Sequence, residues 1–244
     1  MMKISDWKHK SMLFSLVSLL MVTALNIAGC GGGNGAPPAS TSIKGLWAGT
    51  QGSTETSAII LSNGDSWLVF QESGVATKFA RMQTTTNGTS FSSSGYQYLL
   101  QSGVTEAASA SGNFVEKASI TATSGGNSLN LSYNSQYEVP ASSNDAAGSW
   151  KGTYGGGASS LNLTVSSVGV LSGSSSTGCT YSGSLQPRSA DPAVFDIRFN
   201  ETCVTGATTS LEGIATFNTL KTGISFAVTT SDKSRGALFA GIRQ

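Results

Sequence analysis

Along residues 194–200 polar and apolar side chains alternate: Phe195, Ile197 and Phe199 share one face, and Asp196, Arg198 and Asn200 share the other with Val194. Successive side chains of a strand point to opposite faces, so this run predicts a half-buried antiparallel strand with its aromatic face inward. Leu161, Leu163, Val165 and Ile224, Phe226, Val228 repeat the pattern. Gly, Pro, Ser or Asn separates such runs, and the second half of the chain resolves into eight strands, near 150–154, 159–165, 169–174, 179–186, 193–200, 210–217, 223–229 and 236–242. The first half is less regular. Ala58 to Leu61 and Ser66 to Phe70 flank Asn63-Gly64-Asp65, a hairpin signal across an Asn-Gly turn. Further strands are predicted at Lys78–Gln83, Tyr96–Gln101, Asn113–Thr123 and Leu129–Tyr133.

The pattern also repeats on a larger scale. Gly45-Leu46-Trp47-Ala48-Gly49-Thr50 returns 103 positions later as Gly148-Ser149-Trp150-Lys151-Gly152-Thr153, both G-x-W-x-G-T. The second copy follows a linker-like Ser142-Ser143-Asn144-Asp145. Two all-β modules are therefore expected, 43–141 and 142–244, each opening on a strand with a core tryptophan, Trp47 or Trp150, and each long enough for its own core. About eight short antiparallel strands with short connections close most simply as a small up-and-down β-barrel, because closure removes the unpaired edges of a sheet. A β-sandwich is the alternative.

The N-terminus has a different grammar. Lys3, Lys8 and Lys10 precede an uncharged apolar run from Met12 to Ala28, the layout of a signal peptide. The run lacks the basic flank of a retained span. Its end, Ile27-Ala28-Gly29-Cys30, resembles the lipobox of bacterial lipoprotein precursors. That resemblance implies a signal peptide over 1–29, cleavage before Cys30, lipidation of the Cys30 thiol by a diacylglycerol and acylation of the new amino group. Two or more chains make membrane attachment stable, at about 0.8 kcal/mol per buried CH₂. In lipoproteins of this class an aspartate after the cysteine signals inner-membrane retention. Here that position is Gly31, so the resemblance implies the outer membrane. Residues 30–42 then read as the lipidated cysteine and a flexible tether that spans roughly 20 Å as a random coil.

Beyond the signal, 11 basic and 12 acidic residues remain, a balance without the electrostatic footprint of a nucleic-acid-binding protein. The one histidine, His9, lies in the signal, so a mature chain has neither a histidine base nor a histidine metal ligand. With Cys30 assigned to lipid, Cys179 and Cys203 are left as a disulfide pair in an oxidising envelope. A hairpin centred at residue 191 would bring them together across its open ends.

No catalytic, metal or cofactor constellation emerges. Asp191, Asp196 and Glu201 are the densest acidic group, but Arg198 shares a strand face with Asp196, predicting a surface ion pair. Asp196 and Glu201, an odd number of positions apart, project from opposite faces. Gly31–Gly33 and Gly155–Gly157 lack the Lys-Ser/Thr of a phosphate loop and read as a tether and a loop. Trp67, Tyr96 and Tyr98 are candidate exposed anchors, with core membership the alternative.

The early G-x-W at Gly45–Trp47 and Gly148–Trp150 resembles the opening strand of lipocalins and other calycins, where the tryptophan closes the barrel floor. That resemblance implies barrels, some of which enclose an apolar ligand. Taken together, these features lead us to expect a non-enzymatic lipoprotein of the outer membrane, held through Cys30, with a protein or small-molecule partner. The alternatives are a calycin-like carrier of a small hydrophobic molecule and a structural envelope component.

Overall fold

The computed structural model describes residues 41–155, 157 and 159–244. The expected signal segment, Cys30 and all but the last two residues of the tether lie outside the described residues. Strands β1 (Gly45–Gln51), β2 (Thr54–Ile60), β3 (Asp65–Glu72), β4 (Val75–Asn87), β5 (Ser90–Leu99), β6 (Val104–Val115), β7 (Ser119–Ser124) and β8 (Asn127–Asn134) form a closed antiparallel barrel. Closure is made by β8 on β1, with Trp47 opposite Tyr133. A second closed barrel comprises β9 (Gly148–Tyr154), β10 (Ser159–Val165), β11 (Val170–Ser175), β12 (Thr180–Pro187), β13 (Phe195–Thr202), β14 (Thr208–Phe217), β15 (Gly223–Thr229) and β16 (Gly236–Arg243), with β16 returning to β9. The two barrels are tandem, eight-stranded and up-and-down, and the sandwich alternative is excluded.

The shared motif has a mechanical reason. Trp47 and Trp150 are buried at one end of their barrels, which we call the floor. The indole N–H of each donates to a carbonyl four residues back, that of Ile43 at 3.1 Å and Ala146 at 2.9 Å. The second glycine of each motif lets the closing strand approach: a Cβ on Gly49 would lie 2.0 Å from the Asn130 carbonyl oxygen, and one on Gly152 would lie 2.0 Å from that of Ala240. Any other residue there would push β8 or β16 away.

Inside the second barrel Phe195, Phe199, Phe226 and Phe239 pack with Leu161, Leu163, Leu185 and Ile197, as alternation predicts. The first barrel departs from that rule. Trp47, Phe91, Phe114 and Leu131 share its interior with a buried hydroxyl chain in which Ser93 meets Thr84 at 2.7 Å and Thr84 meets Ser66 at 2.6 Å. Ser66 donates on to the Gly64 carbonyl. Each hydroxyl finds a partner, which is what makes it tolerable indoors. The predicted strand 78–83 is part of β4, and that predicted over 96–101 is the end of β5, which stops at Leu99; both strands reach further into Thr/Ser runs, β4 forward to Asn87 and β5 back to Ser90. The single strand predicted over Asn113–Thr123 is the β6–β7 hairpin, turning at Glu116–Ala118 with Lys117 at φ 51°.

The outer faces of the barrels are not all wet. Trp67 and Phe79 of β3 and β4, with Tyr98 of β5, pack against Ile214, Ala227 and Leu238 of β14–β16. Gly236 is pressed so closely on this layer that a Cβ there would lie 2.4 Å from the Phe79 ring. Trp67 and Tyr98 are therefore seam residues, not exposed anchors; of the three aromatics singled out, only Tyr96 reaches solvent, at 41% exposure. Arg81 stacks over Trp67, pairs with Asp65 and donates across to the Thr229 hydroxyl at 2.8 Å.

At the floor end, Asp191 is fully buried. It accepts from the Ser62 backbone at 2.7 Å, the Ser62 hydroxyl at 3.1 Å, Tyr137 at 2.7 Å and Arg188 at 2.7 Å. These donors belong to the β2–β3 turn, the segment between the barrels and the β12–β13 turn, so one carboxylate ties three pieces of chain. Asp196 pairs with this same Arg188, not with Arg198: the β12–β13 turn folds back and brings Arg188 to it.

Burial pushes the Asp191 carboxyl up, but the bonds from Tyr137, Ser62 and Arg188 outweigh it and hold it below the ordinary carboxylate value. Its stabilisation is thus complete above the unfolded-chain value, about pH 4, and is lost as pH falls through the lower native pKa. Asp191→Asn should cost about 3–5 kcal/mol in urea unfolding at pH 7 and flatten the acid-side slope of stability below about pH 4.

The Cys179–Cys203 disulfide is formed, one step beyond the Thr180–Thr202 pair of the β12–β13 hairpin, whose register centres on residue 191 as expected. Replacing both cysteines by alanine should lower stability by about 3–4 kcal/mol, the loop-closure figure for some 25 residues, in chemical denaturation without reductant.

Candidate functional site

At the mouth of the second barrel, opposite its Trp150 floor, the β9–β10, β11–β12, β13–β14 and β15–β16 turns surround a cleft of about 450 Å³. The β5–β6 hairpin of the first barrel supplies the facing wall through Leu99, Leu100, Gly103 and Thr105. That wall is fixed by two bonds across the seam, Tyr98 hydroxyl to the Lys233 carbonyl at 3.1 Å and Thr105 hydroxyl to the Ser234 carbonyl at 2.9 Å.

The chemistry of the cleft comes from strand parity. On β13 the inward series Phe195, Ile197, Phe199 continues to Glu201, whose carboxylate is only 4% exposed. Tyr181 stands opposite it on β12 and donates to Oε1 at 3.0 Å; Arg235, from the β15–β16 turn, pairs with Oε2 at 2.5 Å. Arg235 is nearly half exposed, so its guanidinium links the buried carboxylate to solvent. Tyr154, the last residue of β9, also lines the cleft, and its buried hydroxyl has no hydrogen-bond partner. Burial, reinforced by the Glu201 charge, pushes the Tyr154 pKa up; burial also pushes Tyr181 up to about 12. Both therefore stay protonated at neutral pH and serve as O–H donors.

The disulfide forms part of the rim. Cys179, Cys203 and Glu201 bring potential ligand atoms within 4.8 Å of one another, but the sulfurs are bonded to each other, and a metal needs the thiolate. The three acids singled out in the sequence do not converge. Asp191 is in the floor-end seam, Asp196 is on the outer face with Arg188, and Glu201 is at the mouth. The separation of Asp196 and Glu201 onto opposite faces is as expected, and it is what sends Glu201 indoors. Of the loop Gly155–Gly157, Gly155 lines the cleft and Gly156 lies outside the described residues.

No protein-family model matches the chain, and no curated protein sequence does. The assignment of this cleft rests on its geometry. Tyr154, Tyr181 and Arg235 carried no signal in the sequence, since nothing in local pattern brings the end of β9, the start of β12 and the β15–β16 turn together. Glu201 did carry one, being the next inward position after Phe199.

The two tyrosines should respond differently to loss of their hydroxyls. Tyr181→Phe leaves a buried carboxylate oxygen short of a donor and should cost about 1–3 kcal/mol, whereas Tyr154→Phe removes a group already unpaired and should stay within about 0.5 kcal/mol of wild type or exceed it. Urea unfolding of the two variants in parallel checks this.

Proposed function

We propose that this protein is a non-enzymatic lipoprotein of the outer membrane, anchored through Cys30, and that it binds a small ligand in the cleft at the mouth of its second barrel. The carrying observation is the unpartnered, buried Tyr154 hydroxyl beside the Tyr181–Glu201–Arg235 cluster. An orphan donor in a buried site costs free energy that a ligand oxygen can recover. The size of the cleft suits this reading, since small-molecule sites usually measure about 300–1,000 Å³.

The calycin-like alternative, an apolar molecule carried inside a barrel, is less favoured. Aromatic and aliphatic side chains occupy the second interior, and Trp47, two phenylalanines and the hydroxyl chain occupy the first.

Two measurements test the parts separately. Cys30→Ala should move the protein from the outer-membrane fraction to the soluble one, and membrane retention of that variant would refute the anchor. In a thermal-shift screen of small polar solutes, one present at about 100 times its Kd should raise the Tm of the wild type by roughly 5–10 °C and leave Arg235→Ala unshifted. Equal shifts in both proteins, or none in either, would refute the cleft.

A further inference from the structure

We infer that the cleft is built for an uncharged, hydroxyl-rich ligand of about one sugar ring, a monosaccharide or polyol; this rests on the cleft reading above. Charge disfavours an ionic ligand. Among the lining residues the ionised side chains are Glu201 and Arg235, already paired with each other. A carboxylate or phosphate entering the cleft meets Glu201 as a like charge, and an ammonium group meets Arg235. An uncharged ligand meets neither penalty.

The balance of donors and acceptors favours hydroxyl groups. The Tyr154 O–H has no acceptor. Arg235 carries five N–H donors, and its ion pair with Glu201 runs through one terminal nitrogen. Glu201 has about four acceptor sites, two of them taken by Tyr181 and Arg235. The residues lining the cleft thus hold both spare donors and spare acceptors. A carbonyl answers only the donors, and an ammonium only the acceptor. A hydroxyl answers both, accepting from Tyr154 or Arg235 while donating to Glu201, and adjacent hydroxyls on a ring do so at once. The rest of the lining includes Leu100, Ala237 and the Cys179–Cys203 bridge, apolar surface suited to the C–H face of such a ring.

Saturation-transfer difference NMR on the full-length protein in detergent micelles tests this with glucose, galactose and N-acetylglucosamine as neutral probes, and glucuronate and glucosamine as charged congeners of the same size. At least one neutral sugar should bind at millimolar or lower concentration, with the charged congeners about tenfold or more weaker. Tyr154→Phe should weaken the neutral sugar about tenfold while Tm stays unchanged, a loss of about 1.4 kcal/mol of binding. Tighter binding of glucuronate or glucosamine overturns the ligand class and leaves the cleft reading standing. Neutral-sugar binding untouched by Tyr154→Phe puts the sugar elsewhere and overturns the inference. Absence of binding by every neutral sugar at tens of millimolar also overturns it, and the thermal-shift screen then decides whether the cleft reading falls with it.

Discussion

The seam between the barrels is the constraint on which the rest of the structure depends. A barrel that stands alone needs an apolar interior and a wet exterior. Here Trp67, Phe79 and Tyr98 on one barrel and Ile214, Ala227 and Leu238 on the other are outward and dry, so each barrel completes its burial only against its neighbour. Packing at Gly236 admits no side chain, and the buried Asp191 carboxylate clamps the floor end with four donors. A buried carboxylate is tolerated because its acceptor sites are filled; each donor lost leaves part of a desolvated charge uncompensated.

From that seam follows a division of labour. The second barrel supplies the polar cluster of the cleft, Tyr154, Tyr181, Glu201 and Arg235, and the first supplies a wall through its β5–β6 hairpin. The bonds of Tyr98 and Thr105 to the carbonyls of Lys233 and Ser234 hold that wall beside the very turn that carries Arg235. Loss of register at the seam would therefore open the site before it unfolded either barrel. The disulfide works at the same rim, fixing the open end of the β12–β13 hairpin two residues from Glu201.

The sequence revealed the second barrel far better than the first, and the seam explains why. In β10, β13 and β15 parity is clean: Leu161, Phe195 and Phe226 are inward members of regular alternations. In β3 both faces are used, since Leu68 packs on the barrel core while Trp67 packs on the neighbour, and the run Trp67-Leu68-Val69-Phe70 has no period to read. In β4 and β5 the code is partly inverted, with Thr84 and Ser93 indoors and Phe79 and Tyr98 outdoors but dry. Serine at an inward position looks like a turn until its hydroxyl partner on the next strand is known. The twin tryptophans were legible as core residues, but the role of Gly49 and Gly152 was not, because it depends on how closely β8 and β16 approach. Of the site, Glu201 was available from parity alone; Arg235 lies on the β15–β16 turn and Tyr154 at the end of β9, and only closure brings them together.

Native-state hydrogen exchange tests most directly whether the seam makes one body of two barrels. If it does, the slowest amides of β4, such as Ala80, and those of β15, such as Val228, open with one common free energy, and Asp191→Asn lowers both by the same amount. Two distinct opening free energies, with the β4 or the β15 set unmoved by that substitution, would contradict the account and leave the cleft as an accident of two barrels that happen to touch.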